Sequence, residues 1–155
     1  MSQVKFVAIA GISGALALLI VQDLLARGPN VRIRGSSRDP SKRPAWIKES
    51  SRVKVLRIDN IFYPPSLDQL VLGSDVVICA CLADKHKLLI DACERKGVPR
   101  YLASDWTVDY TKLDYGDNYI KDPMKNVKKY LEESKHNVKG VHILVGVFLE
   151  LHWKY

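Results

Sequence analysis

Cysteine is scarce. The 155 residues hold only Cys79, Cys81 and Cys93. An odd count rules out a fully paired disulfide framework, and C-x-C with no metal-spaced histidine is a poor zinc pattern. The three read as buried reduced thiols, which suits a cytoplasmic protein. Long apolar runs are missing too. Val4–Ala10 is stopped by Gly11, and Asp23 and Arg27 break the run that follows, so neither a signal peptide nor a membrane span is expected. Basic tails and arginine-rich arms are absent, which argues against nucleic acid as a partner. The four histidines, His86, His136, His142 and His152, are dispersed and show no hydrolase-like Ser-His-Asp order. His142 reads as structural.

What is present is a chain 47% hydrophobic with a formal charge of +7. That suits one domain over residues 1–155 with a sizeable core and an anionic partner. Apolar runs alternate with amphipathic stretches. Strands are expected at Val4–Ala10, Val31–Gly35, Val53–Ile58, Asp75–Cys81, Arg100–Ala103 and Val141–Val147. Helices are expected at Ala15–Arg27, Ser41–Ser50, Ser66–Val71, Lys87–Lys96 and Tyr119–Ser134, with a polar loop over Asp105–Asp117. The alternation predicts an α/β fold: a doubly wound parallel Rossmann-type sheet of about six strands with helices on both faces. Ligands of such sheets bind beyond the carboxyl ends of the strands.

The first of these ends reads "AGISGALA". Gly11 permits a tight strand-to-helix turn, and Gly14 lets backbone approach a pyrophosphate. Ala17 is small enough to stand where a third glycine is usual. The N–H groups at Ala15 and beyond, with the helix dipole, then face the anion, and the Ser13 hydroxyl adds a donor. The second strand runs into "IRGSSRDPSKR". A carboxylate would hold a ribose 2′-hydroxyl there. Arg34, Arg38, Lys42 and Arg43, with Ser36 and Ser37 between, suit a 2′-phosphate instead, so NADPH is expected over NADH. Asp39 before Pro40 reads as a helix start. Asp59 and Asn60, after the third strand, are candidates near the adenine or a plain turn. Ala80 and Cys81 at the end of the fourth strand and Ser104 after the fifth complete the expected cofactor contacts.

Taken in order, "GISGALA", "RGSSRDPSK", "GSDVVICACL", "LLIDACERKGVPRYLASDW" and "NVKKYLEES" resemble the NmrA-like and isoflavone-reductase-like family of atypical short-chain dehydrogenases. "GVPRYLASDWTVDYTKLDYG" and "KDPMKNVKKYLE" look most like a fungal branch. The resemblance implies a Rossmann fold holding NADPH (NADP), with Gly11, Ser13 and Gly14 on the pyrophosphate and Arg38 and Lys42 near the 2′-phosphate. Family reductases act on small aromatic or phenolic compounds, and other members bind the dinucleotide as sensors and regulate partner proteins. Three departures stand out. The family's lysine early in the long helix aligns with Met124, leaving Lys125 about 100° around the helix and Lys121 nearly one turn earlier. The segment "CLADKHKLLIDAC" is short, and after "FLELHWKY" the family's C-terminal substrate lobe is essentially missing.

No tyrosine has a lysine four residues on, which argues against the Tyr-x-x-x-Lys mechanism. Lys125 and Lys121 are therefore the candidate catalytic groups. Ser104 and Asp105 remain candidates as well but read more readily as helix or loop caps, and Trp106 reads as a substrate wall or a loop anchor. The expected function is NADPH-dependent hydride transfer to a small carbonyl or conjugated alkene. The alternatives are a non-catalytic dinucleotide sensor or protein-interaction module, or a truncated product with a residual fold. The tail "ELHWKY" would cover apolar surface or pair with a second copy, making a homodimer or protein partner the further expectation.

Overall fold

The structure, a computed structural model, describes residues 4–59, 63–81, 86–133 and 137–146. Among these, the strands are β1 Phe6–Ala10, β2 Arg32–Ser37, β3 Val53–Arg57, β4 Val76–Cys79, β5 Arg100–Leu102 and β6 Lys139–Val141. The helices are α1 Ala15–Arg27, α2 Ala45–Glu49, α3 Pro64–Val71, α4 His86–Arg95 and α5 Asp122–Glu132. The sheet order is β3-β2-β1-β4-β5-β6, with every pairing parallel. This is the expected doubly wound Rossmann arrangement. The strand order reverses between β1 and β4, and ligands of such sheets bind beyond the carboxyl ends at that switch point.

Period-two alternation divides the core. Val7 and Ile9 of β1, with Val76 and Ile78 of β4, pack against Ala17 and Val21 of α1. Their neighbours Ala8, Ala10, Val77 and Cys79 point the other way, onto α3, α4 and α5. Both faces of the central strands are buried, so they read as continuous apolar runs. Two arginines neutralise helix carboxyl ends. Arg52 donates to the carbonyls of Leu25, Gly28 and Pro29 after α1. Arg34 donates to those of Gln69, Leu70 and Leu72 after α3 and lies 4.6 Å from the Phe6 ring centre.

Element bounds shift where proline or pairing dictates. The helix expected over Ser41–Ser50 is a 3-10 turn, Pro40–Lys42, followed by α2. Pro44 has no N–H and disfavours helix at Arg43, so the two cannot join. The last helix begins at Asp122, not Tyr119, because Pro123 fits the first turn of a helix and no later one. The sixth strand is displaced. It pairs through Lys139–Val141, not Val141–Val147. Only three residues of β5 offer a ladder. Beyond it His142 is bonded to Asp105, and Gly146 N–H donates to the Thr107 carbonyl. The following apolar stretch thus tracks the β5–α5 loop. Val147 lies outside the described residues.

Two contacts position β1. Asp75 Oδ2 accepts the Lys5 and Phe6 N–H groups, both at 2.8 Å. At the other end, Ile12 is fully buried on Gly35 of β2. A Cβ on Gly35 would meet Ile12 side-chain atoms at 2.3–2.7 Å. Gly35→Ala should therefore cost about 1–3 kcal/mol in urea unfolding, since a buried β-branched side chain cannot move aside freely.

Asp75 predicts an acid dependence. Its backbone hydrogen bonds, from Lys5 first and then Phe6, hold its carboxyl below the ordinary value. A depressed folded pKa contributes stability that is present above the unfolded value, about 3.9, and is lost as pH falls through the folded one. Asp75→Ala should cost about 1–2 kcal/mol near neutrality. The gap from wild type should close below the carboxylate range in denaturant titrations at stepped pH.

Candidate dinucleotide site

The site begins with one backbone conformation. Gly11 has φ +82°, a region that favours glycine. A Cβ there would also lie 3.0 Å from the Ala80 carbonyl oxygen. Gly11 N–H donates to Ser36 Oγ at 3.3 Å, Ile12 N–H to the Ser36 carbonyl at 3.0 Å, and Gly14 N–H to the Gly11 carbonyl at 3.1 Å. The turn is thus fastened to the end of β2.

The next amides are different. The N–H groups of Ser13, Ala15 and Leu16 find no acceptor among the described residues. Gly14 caps α1 without a side chain, and the first turn carries no acidic residue. Helix N-termini leave such donors unsatisfied and carry partial positive charge. Gly14 itself is extended, φ −72° and ψ 150°, a conformation open to other residues. A Cβ on it would meet only the Gly11 carbonyl oxygen at 3.5 Å and that of Ala80 at 4.0 Å. The chain's own packing therefore does not require glycine here. The room above Gly14, beside unpartnered N–H groups, fits a closely approaching anion.

The cation cluster after β2 separates into different roles. Arg34 is bound at the end of α3, as above, and is removed from the phosphate set. Arg43 folds back to the Pro40 carbonyl at 2.5 Å. Arg38 is exposed and makes no hydrogen bond or ion pair among the described residues. Lys42 lies 3.7 Å from Asp39 and is largely exposed. Asp39 accepts from Ser41 N–H and Oγ, at 3.0 and 2.5 Å, as the helix-start reading expects. Ser37 Oγ accepts from Ser13 Oγ at 2.8 Å and from Asp39 N–H at 3.2 Å. Its own hydrogen is then available to a further acceptor.

Asp59 is paired with Arg57 at 3.0 Å in an exposed position, and Asn60 lies outside the described residues. Ala80 and Cys81 border the Gly11 turn, and Ser104 is half-buried at the end of β5. Trp106 Nε1 donates to the Cys79 carbonyl at 3.2 Å, the loop-anchor role. The two candidate lysines part company. Lys121 Nζ donates to Thr107 Oγ1 at 2.6 Å, in the loop after β5. Lys125 Nζ donates to the Asp114 carbonyl, lies 3.3 Å from Asp122 Oδ1 and sits 5.0 Å from the Tyr115 ring centre.

Surface grooves of about 390 and 320 Å³ lie along α5, and neither includes the Gly11 turn. A shelf of outward backbone N–H groups is not concave until a ligand covers it, so the polar geometry locates this site better than enclosed volume does.

Two buried polar chains were not legible in the sequence. In one, Asp105 Oδ2 accepts from the Tyr110 hydroxyl at 2.9 Å and is bonded to His142 Nδ1, while Oδ1 has no partner. Burial, then Asp105, pushes the Tyr110 hydroxyl pKa up. In the other, His86 joins Cys79 to Tyr101. The one available signal was a histidine opening the buried face of α4. No group of His, Cys, Asp and Glu among the described residues suits a metal ion, and no described helix is long and apolar enough to cross a membrane. Tyr110→Phe would leave buried Asp105 with one partner fewer and should cost about 1–2 kcal/mol in thermal or urea unfolding.

A family model described as NAD(P)H-binding matches residues 11–141. No curated protein matches the chain. Among solved structures, a wide-type short-chain dehydrogenase/reductase from Veillonella parvula DSM 2008, in complex with NADP, is similar at 18% identity and TM-score 0.69, covering 92% of this chain and 69% of that one. AtPrR2, solved with NADP+ and (+)pinoresinol, is similar at 16% identity and TM-score 0.73 over 92% of this chain and 50% of its own. NmrA, a negative transcriptional regulator, is similar at 16% identity and TM-score 0.66 over 90% of this chain and 45% of its own. At these identities the likeness is one of fold, and the chain spans about half the length of the last two.

Proposed function

We propose a function from one premise: the chain belongs to the NAD(P)H-binding family. Our reading is an NADPH-binding, NmrA-like domain with the equipment for hydride transfer to a small carbonyl or conjugated alkene. The observation that carries it is the shelf of unpartnered N–H groups at Ser13, Ala15 and Leu16, beside the unfilled space above Gly14. Those amides would hold the pyrophosphate. Arg38, with no partner among the described residues, and the spare Ser37 hydrogen would meet the 2′-phosphate, with Lys42 nearby. Asp39, the one carboxylate after β2, is turned to Ser41 and Lys42. It therefore leaves little to favour a bare ribose hydroxyl.

The bound nicotinamide supplies a hydride, and the protein supplies position and a proton. Of the two lysines, Lys121 is the better proton donor, because its Nζ is tied to the loop that follows β5, one of the carboxyl ends where ligands gather. Lys125 is engaged by Asp114, Asp122 and Tyr115, a loop-fastening role. Ser104 and the buried Asp105 would shape the floor of the same edge.

One observation favours a second reading. Neither lysine contacts the Gly11 turn, Ala80 or Cys81 in the bonds described, and the lysine expected in reductases is Met124 here. A non-catalytic NADP(H) sensor or interaction module, of the regulatory kind named for NmrA, follows if turnover with small enones and aldehydes is absent.

Calorimetric titration should give NADPH binding tighter than NADH. Arg38→Ala should weaken NADPH about tenfold more than NADH, a difference of about 1.4 kcal/mol. Equal losses for both would remove Arg38 from the phosphate site.

A further inference from the structure

The hydride chemistry above leaves the thiols at the end of β4 without a role. Cys79 and Cys81 are both reduced, with sulfurs 3.4 Å apart. Cys79 is fully buried and Cys81 half-buried. His86 Nε2 lies 3.5 Å from the Cys79 sulfur, and its Nδ1 lies 3.0 Å from the Tyr101 hydroxyl. The residue between the cysteines is Ala80, whose carbonyl oxygen would stand 3.0 Å from a Cβ on Gly11. The Cys81 Cβ would stand 3.3 Å from the same point. The dithiol and the anion shelf therefore share one piece of backbone.

We propose that Cys79 and Cys81 form a peroxide-reactive dithiol that closes to an intrachain disulfide, moving Ala80 against the Gly11 turn. The backbone between them is held by the Ala80 N–H to the Ala10 carbonyl at 2.9 Å and by Trp106 Nε1 to the Cys79 carbonyl at 3.2 Å, so drawing the sulfurs to bonding distance pulls on the strand end beside the Gly11 turn. In the first step the Cys81 sulfur attacks a peroxide oxygen. An S–O bond forms, the O–O bond breaks, and the departing hydroxide leaves as water with the thiol proton. In the second, the Cys79 sulfur attacks Cys81. An S–S bond forms, the S–O bond breaks, and hydroxide leaves with the Cys79 proton as a second water. Two thiols are oxidised by two electrons in all, and hydrogen peroxide is reduced to two waters.

The surroundings assign the order. The hydrogen bond to Cys81, and then burial, push the Cys79 thiol well up. Cys79 thus keeps its proton, and Cys81, the more exposed of the two sulfurs, meets the peroxide first. With the imidazole proton on Nδ1 and shared with Tyr101, His86 Nε2 faces Cys79 as a base for the second step. Cys93 is a built-in control. It is buried on α4, with its thiol pushed up to about 12 by burial, and among the described bonds none joins it to Cys79 or Cys81.

That the disulfide would also weaken a bound dinucleotide rests on the function proposed above, so the test does not depend on it. The full chain is treated with hydrogen peroxide, and intact mass and amide hydrogen exchange are read before and after. The expected mass change is a loss of two hydrogens per chain, reversed by dithiothreitol. Cys93→Ala should retain the change and Cys81→Ser should abolish it. Exchange across residues 11–15 should rise about tenfold in the oxidised chain. Oxygen addition without loss of hydrogens, dimers linked through Cys81, or unchanged exchange in the disulfide form would each overturn the proposal. NADPH titration of the reduced chain, run alongside, reports separately on the dinucleotide reading.

Discussion

The close approach of Gly11 to the Ala80 carbonyl is the constraint on which the site depends. It places the end of β1 against the end of β4, where the strand order reverses. Positive φ at Gly11 turns the chain sharply enough for α1 to begin at Ala15 and pack Ala17 and Val21 back on the sheet. The same turn leaves the first amides of α1 facing outward. A side chain at Gly11 would disturb the helix start, the approach of β1 to β4 and the amide shelf together.

Around that point the chain sorts its charged groups by task. Cations placed where a helix ends are consumed in structure: Arg52 after α1 and Arg34 after α3. Arg38, which has no partner among the described residues, stands just past β2, beside the serines that tie β2 to the glycine turn. A chain of +7 is thus not uniformly available to an anionic ligand. Buried polar groups on the far strands follow a different logic. Tyr110 and His142 both meet Asp105 Oδ2 and hold the β5–α5 loop to the segment after β6, while Asp105 Oδ1 is left without a partner.

Much of this was legible in the residues. Continuous apolar runs separated by amphipathic stretches indicated a parallel sheet because burial on both faces removes polar alternation. Gly11 and Gly14, spaced around a strand end, indicated the turn. Asp39 before Pro40 indicated a cap. What escaped was long-range. Nothing local in "IRGSSR" distinguishes Arg34, pointing to α3, from Arg38, pointing to solvent. That difference is one of place: Arg34 lies within β2 and reaches the carbonyls that end α3, whereas Arg38 lies one residue past the end of the strand. The sixth strand was misplaced because apolar content marks what is buried, whereas pairing is set by the short partner β5. The cysteine–histidine–tyrosine chain joins β4, α4 and β5, so no window of sequence contains it.

The most direct test of the central claim is residue-resolved. Amide chemical shifts of the labelled chain are followed by nuclear magnetic resonance as NADP+ is added. The account predicts that the largest shifts fall on the Ser13, Ala15 and Leu16 N–H groups, with further changes at Ser37 and Arg38. Shifts confined to the α5 grooves, or none at the β1–α1 turn at saturating dinucleotide, would contradict it.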